Sequence, residues 1–391
     1  MNNIKKGLLT KALLLAVLPL CAQNISGVQT DGSRKSNIVT AVPFLQITPD
    51  ARTGAMGDAG VAVPGGMGNT SINAAKLVYL QEQSGVTVSY SPWLRKLVPD
   101  MNLAYLSGYY HLDDRNTVAA SLRYFSLGNI QFTDANFQEL STFNPSELAF
   151  DISYARSFGP DFSLGGSVRY ISSNLYSGQF SSGIKAQAGN ALAADVSALY
   201  KTALNATAVW AFGLNLSNIG TKMGYSSKGG NLYFLPANFK LGTALSLDFK
   251  NGNSFIMALD FNKLMAPTQP VYDTDGNIIK GSDPNRSVPA GIIGSFIDAT
   301  GGFTEELKEV SLGTGLEYSY QNLFALRAGY HYQSAEKGGS RYLTLGAGFR
   351  YNLFNIDFAY LAASQRQSPL ANTLRFTLGI NFSRNKRKTN Q

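Results

Sequence analysis

The chain carries two histidines, His111 and His331, and one cysteine, Cys21, so nucleophile and base chemistry have few starting points. A lipid-cleaving site would need nucleophile, base and orienting group within hydrogen-bond reach. Strand parity puts His111 near the inner end of a second strand and His331 near the outer end of an eleventh, facing a lumen. The two cannot share a site, and no enzyme activity is expected. Asp273, Asp275 and Asn277 open like half a calcium loop, but the closing bidentate Glu is missing. The AspGly step between Tyr272 and Ile278 predicts a tight hairpin there instead. Gly54, Gly57, Gly60, Gly65, Gly66 and Gly68 lack the GxGxxG spacing and the Lys-Ser/Thr pair of a phosphate loop. They predict close packing of a plug against an inner wall, with Arg52 and Asp58 pairing to charges on that wall. No cofactor or metal is expected.

The elements that would position these residues are strands. Residues 373–382 (TLRFTLGINF) place Leu374, Phe376, Leu378, Ile380 and Phe382 on one face and small or polar groups with Arg375 on the other. An apolar face ten residues long that ends on an aromatic suits the final strand of an outer-membrane barrel. Thirteen further alternating segments start at Gly85, with approximate cores 85–91, 101–112, 116–127, 147–158, 161–174, 191–203, 207–218, 237–249, 253–264, 309–320, 322–333, 341–351 and 354–366. Arg123, Asp151, Arg169, Asp195, Lys201, Lys240, Asp248, Asp260, Glu317, Arg327, Arg350, Asp357 and Arg375 share the non-apolar face. A Lys or Arg on the lipid face costs roughly 2–4 kcal/mol at the midplane, so this face must line a lumen.

Short connections at 159–161, 204–206, 251–253, 321–322 and 352–354 alternate with long ones at 128–146, 176–190, 219–235 and 265–308. Short periplasmic turns and long outer loops follow the barrel rule, and an even strand count then places both termini in the periplasm. A large soluble β-sandwich or adhesin is the competing reading of the same alternation.

Composition agrees with the barrel. Charged residues are 15% and apolar residues 44%, with 39 Gly, 20 Tyr and 23 Phe; mean hydropathy is near zero. Soluble domains carry roughly 25% charged residues. Residues 1–22 read as a signal peptide: Lys5, Lys6 and Lys11, then ALLLAVLPL, then cleavage after Ala22. Leu20 before Cys21 does not suit lipoprotein processing. Cleavage leaves no thiol, hence no disulfide framework. Of the formal charge of +8, the signal lysines supply three, and Arg384, Lys386, Arg387 and Lys388 supply four more. The tail 384–391 reads as a solvated periplasmic segment, not a nucleic-acid site.

Residues 51–62 (ARTGAMGDAGVA), followed by Asn73, Ala74, Ala75, Lys76 and Leu77, resemble the N-terminal signature of the FadL-like barrel superfamily, with Ala74 where that signature has Pro. With 260–268 (DFNKLMAPT) and 295–309 (SFIDATGGFTEELKE), the mature chain is similar to the PorV-like family of type IX secretion barrels. The resemblance implies an outer-membrane protein that binds cargo by its C-terminal signal domain at the translocon barrel. It also implies delivery of that cargo to a cell-surface attachment complex containing a sortase-like protease.

The whole is expected to be a 14-stranded antiparallel transmembrane barrel, residues 85–383, with an N-terminal plug segment, residues 23–84, marked by Arg52, Gly54, Gly57, Asp58 and Asn73. Its partners would be the translocon, cargo, the surface protease and outer-membrane lipid, with no nucleic acid. Ile292, Ile293, Phe296 and Ile297 form one helical face in the long outer loop and are the candidate partner-binding patch. A FadL-like channel for hydrophobic small molecules is the alternative function. It would need an apolar lumen pocket and a lateral gap in the wall.

Overall fold

A computed structural model describes residues 38–382 apart from 67–69, 94–97, 99, 134–138, 176–186, 227–229, 274, 276 and 364–372. The expected signal peptide, residues 1–22, and the basic tail, residues 384–391, lie outside the described residues. In chain order the first strands are β1 (Ser84–Pro92), β2 (Asn102–His111), β3 (Asn116–Ser126), β4 (Ile130–Thr133) and β5 (Glu139–Phe143). Then come β6 (Ser146–Ser157), β7 (Phe162–Asn174), β8 (Gly189–Asn205), β9 (Ala208–Gly220), β10 (Asn238–Asp248) and β11 (Ser254–Leu264). The remainder are β12 (Val271–Tyr272), β13 (Ile278–Lys280), β14 (Val310–Tyr320), β15 (Phe324–Tyr332), β16 (Arg341–Tyr351), β17 (Phe354–Ala363) and β18 (Thr373–Phe382).

Fourteen of these close into one antiparallel barrel, each paired to its neighbours along the chain, with β1 sealed on β18 from Ser84↔Phe382 to Tyr90↔Phe376. Closure leaves no strand edge, the condition for a sheet in hydrocarbon. The two remaining pairs, β4–β5 and β12–β13, are hairpins inside long loops. The second is the turn expected from AspGly: Asp273 Oδ1 accepts from the amides of Asp275 and Asn277 at 2.9 and 2.8 Å.

Alternation sorts the side chains as barrel physics requires. Leu241, Met257, Phe261, Leu326, Phe376 and Leu378 are exposed on the outer face, where lipid covers them. Ser, Thr, Gly and charged groups fill the inner face. There Thr87 meets Ser107 at 2.7 Å, Ser89 meets Thr377 at 2.8 Å and Ser153 meets Ser167 at 2.7 Å. Wall charges are paired: Arg169 with Asp151 and, at 2.9 Å, Asp195; Arg327 with Glu317 at 2.5 Å and Asp357 at 2.6 Å. One ladder is irregular. Between β8 and β9 the register shifts from Val196↔Leu216 to Ala194↔Ile219. Asn218 takes up the extra residue at φ 58°, and its amide donates to Asp195 Oδ1 at 2.7 Å.

The small inward residues leave room for residues 41–80. These contact inward-facing groups on strands all round the ring, which is possible only from inside it. The segment comprises a 3₁₀ turn (Pro43–Gln46), the helix α1 (Ala51–Ala55) and a 3₁₀ helix (Ala74–Tyr79). Asp50 caps α1 by accepting from the Thr53 amide at 2.8 Å, and Asn73 caps the later helix through the Ala75 amide at 3.0 Å. Gly57 shows why glycine is needed: its φ is 66°, and a Cβ there would sit within 2.6 Å of the β15 backbone at Tyr330.

Candidate functional site

Two regions could do work: the lumen with its inner segment, and the long outer loop. In the lumen, Arg52 grips Glu317 with two donors at 2.7 and 2.8 Å, a bidentate pair. Asp58 accepts from Arg375 at 2.9 Å and from the Tyr342 hydroxyl. Asp260 Oδ2 accepts from the amides of Gly60 and Val61 at 2.7 and 2.9 Å. Asn73 Nδ2 donates to Val61 O at 2.8 Å and to Ala198 O of the wall at 3.1 Å. Gly54 lies so close to Arg375 that a Cβ would meet the guanidinium. All five marked residues thus touch the wall or brace the segment. Lys76 is buried and donates to Gly60 O at 2.6 Å.

At the long-loop end, the side of the lumen formed by β1 to β8 is apolar and filled. Val42, Phe44 and Leu45 pack among Trp93, Leu103, Phe125, Ile171 and Leu235, and Phe44 stacks on Phe125 at 6.0 Å. Two open recesses carry charged groups. A recess of about 330 Å³ at the short-turn end is lined by Arg52, Glu82, Glu317, Arg350, Asp357 and Asn381, among others. A recess of about 180 Å³ toward the long loops is lined by Thr48, Asp58, Lys240, His331 and Arg375, among others. Residues 50–63 separate the two.

The histidines stand apart. His111 bonds Leu80 O at 3.0 Å and Thr117 Oγ1 at 2.7 Å at the short-turn end, and His331 stacks on Tyr342 near the other end. Among the described residues no group of His, Cys, Asp and Glu could hold a metal ion.

The long loop between β11 and β14 is a folded unit clasped to the rim. It carries β12, β13, the helix α2 (Val288–Gly294) and the helix α3 (Phe303–Lys308). Lys263 faces outward by parity, like Phe261, yet it is buried. The loop turns back over it: Lys263 Nζ donates to Glu306 at 2.9 Å and Glu309 at 2.6 Å. Thr268 donates to Glu309 at 2.8 Å, and Lys337 donates to Glu305 at 2.5 Å and Glu309 at 3.0 Å. Burial works to raise Glu305, but bonds from Lys337 and the Gly301 amide hold it below the usual carboxylate range. Burial likewise opposes the charge on Lys337, and Glu305 and Glu309 overcome it and raise its pKa.

α2 ends at Gly294, so Phe296 and Ile297 follow in the next turn and not on one continuous helical face. Ile292 is half-buried. Ile293 is 74% exposed and Ile297 85%. Phe296, 42% exposed, meets the ring of Phe239 edge-on at 6.1 Å. Phe303 and Leu307 of α3 are also exposed. Sequence reasoning missed these two, and it missed Lys263, whose buried state depends on a loop folding back over forty residues later.

The sequence model of a family described as "Type IX secretion system protein PorV" matches residues 30–271. No curated protein matches the chain. Among solved structures, the toluene transporter TodX of P. putida aligns with a TM-score of 0.52 at 13% identity, covering 86% of this chain and 99% of that one. A FadL homologue of Pseudomonas aeruginosa aligns with a TM-score of 0.46 at 11% identity, covering 89% and 100%. The toluene transporter TbuX of Ralstonia pickettii gives 0.46 at 14% identity, covering 85% and 98%. The likeness to TodX shows a shared fold.

Proposed function

Because the chain belongs to the PorV family of the type IX secretion system, and so is an outer-membrane component of that system, we propose that it works as a plugged adaptor. It binds cargo by the C-terminal signal domain at the translocon barrel and passes it to a surface attachment complex with a sortase-like protease. No step of bond making is assigned to it.

The observation that carries this reading is the filled lumen. Val42, Phe44 and Leu45 occupy its apolar side, and residues 50–63 separate the two charged recesses. A hydrophobic solute would meet charged recesses at both ends, which disfavours the channel reading despite the fold shared with toluene transporters. With the interior occupied, the outer surface is left for partners. Large apolar side chains seated in desolvated pockets dominate interfaces, and Ile293 and Ile297 are the most exposed apolar groups of the proposed patch. Phe296 serves partly to seat the loop on Phe239. Ile292 is half-buried.

The test is the double variant Ile293→Asp, Ile297→Asp. The barrel should fold to normal levels, co-purified secretion partners should fall at least tenfold, and cargo should accumulate in the periplasm. Unchanged partner recovery and unchanged surface cargo, with folded barrel at wild-type level, exclude this patch. Normal export with reduced uptake of an apolar solute would favour the channel instead.

A further inference from the structure

The inner segment does not enter and leave the barrel by the same end. The short-turn end is fixed by β1 and β18: Ser84 pairs with Phe382 and with Tyr110, next to the turn 112–115. Residues 74–80 approach that end, where Ser163 Oγ donates to Ala75 O at 2.7 Å and His111 bonds Leu80 O. The first described residues are at the opposite end. The Ala41 amide donates to Phe234 O, in the long loop after β9, at 2.9 Å. Arg123, in the last third of β3 on the long-loop side, donates to Leu45 O at 2.9 Å. Val42 and Phe44 pack on Trp93, Met223 and Leu235, which lie beyond the strand ends on that side. Gln46, Ile47 and Thr48 line the recess toward the long loops together with Gln333 and Ser340. Val39 is 51% exposed, whereas Ala41, Val42 and Phe44 after it are buried. The chain therefore reaches the protein surface at Val39, at the long-loop end.

We infer that residues 39–80 are threaded through the barrel from one mouth to the other, so that Val39 is displayed at the cell surface beside the long loops while Ser84 and Phe382 lie together at the periplasmic end. The even-strand rule puts Ser84 and Phe382 at one end and says nothing about the residues before β1.

The test uses the full chain on intact cells. The only cysteine, Cys21, leaves with the signal peptide, so a single introduced thiol can be read with a membrane-impermeant maleimide. Val39→Cys should label on intact cells as fully as Ile279→Cys in the long loop, and Asp113→Cys in a short turn should label only after lysis. Ile38→Cys should label in the same way and gives an independent reading should Val39→Cys assemble poorly. Labelling of Val39→Cys only after lysis, with Ile279→Cys reactive on intact cells, overturns the inference. So does a reactive Asp113→Cys on intact cells, which would put the long loops inside.

Discussion

Lys76 is an amine held inside the barrel against Gly60 O, with Arg52 as a repelling neighbour and Asp50 and Asp260 as attracting ones. We predict that Lys76→Met, which takes this donor from the buried Gly60 O, lowers the stability of the detergent-solubilised barrel by about 1–3 kcal/mol, read as a fall in its thermal midpoint. An unchanged midpoint would show that the bond to Gly60 is dispensable. At this scale Arg52, Asp58 and Asn73 were legible because a charged or amide side chain amid glycines in a lumen must find a partner. Lys76 was not singled out, since its neighbours come from Asp50 and from β11, far away in sequence.

The clasp of the outer loop is an element-scale device. Glu309 accepts from Lys263, Thr268 and Lys337, which belong to the wall, the loop's start and the next loop. Removing one partner of a buried pair costs roughly 3–5 kcal/mol; Glu305 and Glu306 retain hold of the lysines, so about 2 kcal/mol is expected for Glu309→Gln. Limited proteolysis should then cut within 265–308 while the barrel keeps its heat-modifiable mobility. Full protection of the loop would show that Glu309 is dispensable. The clasp should hold across neutral pH. The Glu305 contribution is present above its unfolded value near 4.5 and fades as pH falls through its lower folded value. The Lys337 contribution is present below 10.5 and fades as pH rises through its raised value. Period-two alternation made every barrel strand legible to within a few residues, because lipid outside and a polar lumen inside leave each position one permitted polarity. The hairpin β4–β5 escaped, as a short pair in a loop faces no such constraint, and parity alone misplaced nothing except by omission: it assigns Lys263 to the outer face without showing what covers it.

The molecule as a whole is a closed ring with its own leading segment inside. That the ring exists was legible from local alternation. The direction in which the leading segment runs was not, because it depends on contacts of Ala41–Phe234 and Arg123–Leu45, whose partners lie some 80 to 190 residues apart. Its placement has a consequence for biogenesis. A ring sealed from Ser84↔Phe382 to Tyr90↔Phe376 is a collar, and nothing wider than an extended chain could later be drawn through a bore already crowded by residues 50–63. The leading end must be laid across the sheet before the first and last strands meet. A compact cargo welded ahead of residue 38 would have to cross as well. We predict that a fast-folding domain fused at Gln23 stalls the chain as an unsealed, protease-sensitive intermediate, whereas the same domain after Gln391 leaves heat-modifiable barrel at normal level. Equal yields from the two fusions would mean that the collar closes first and is filled afterwards.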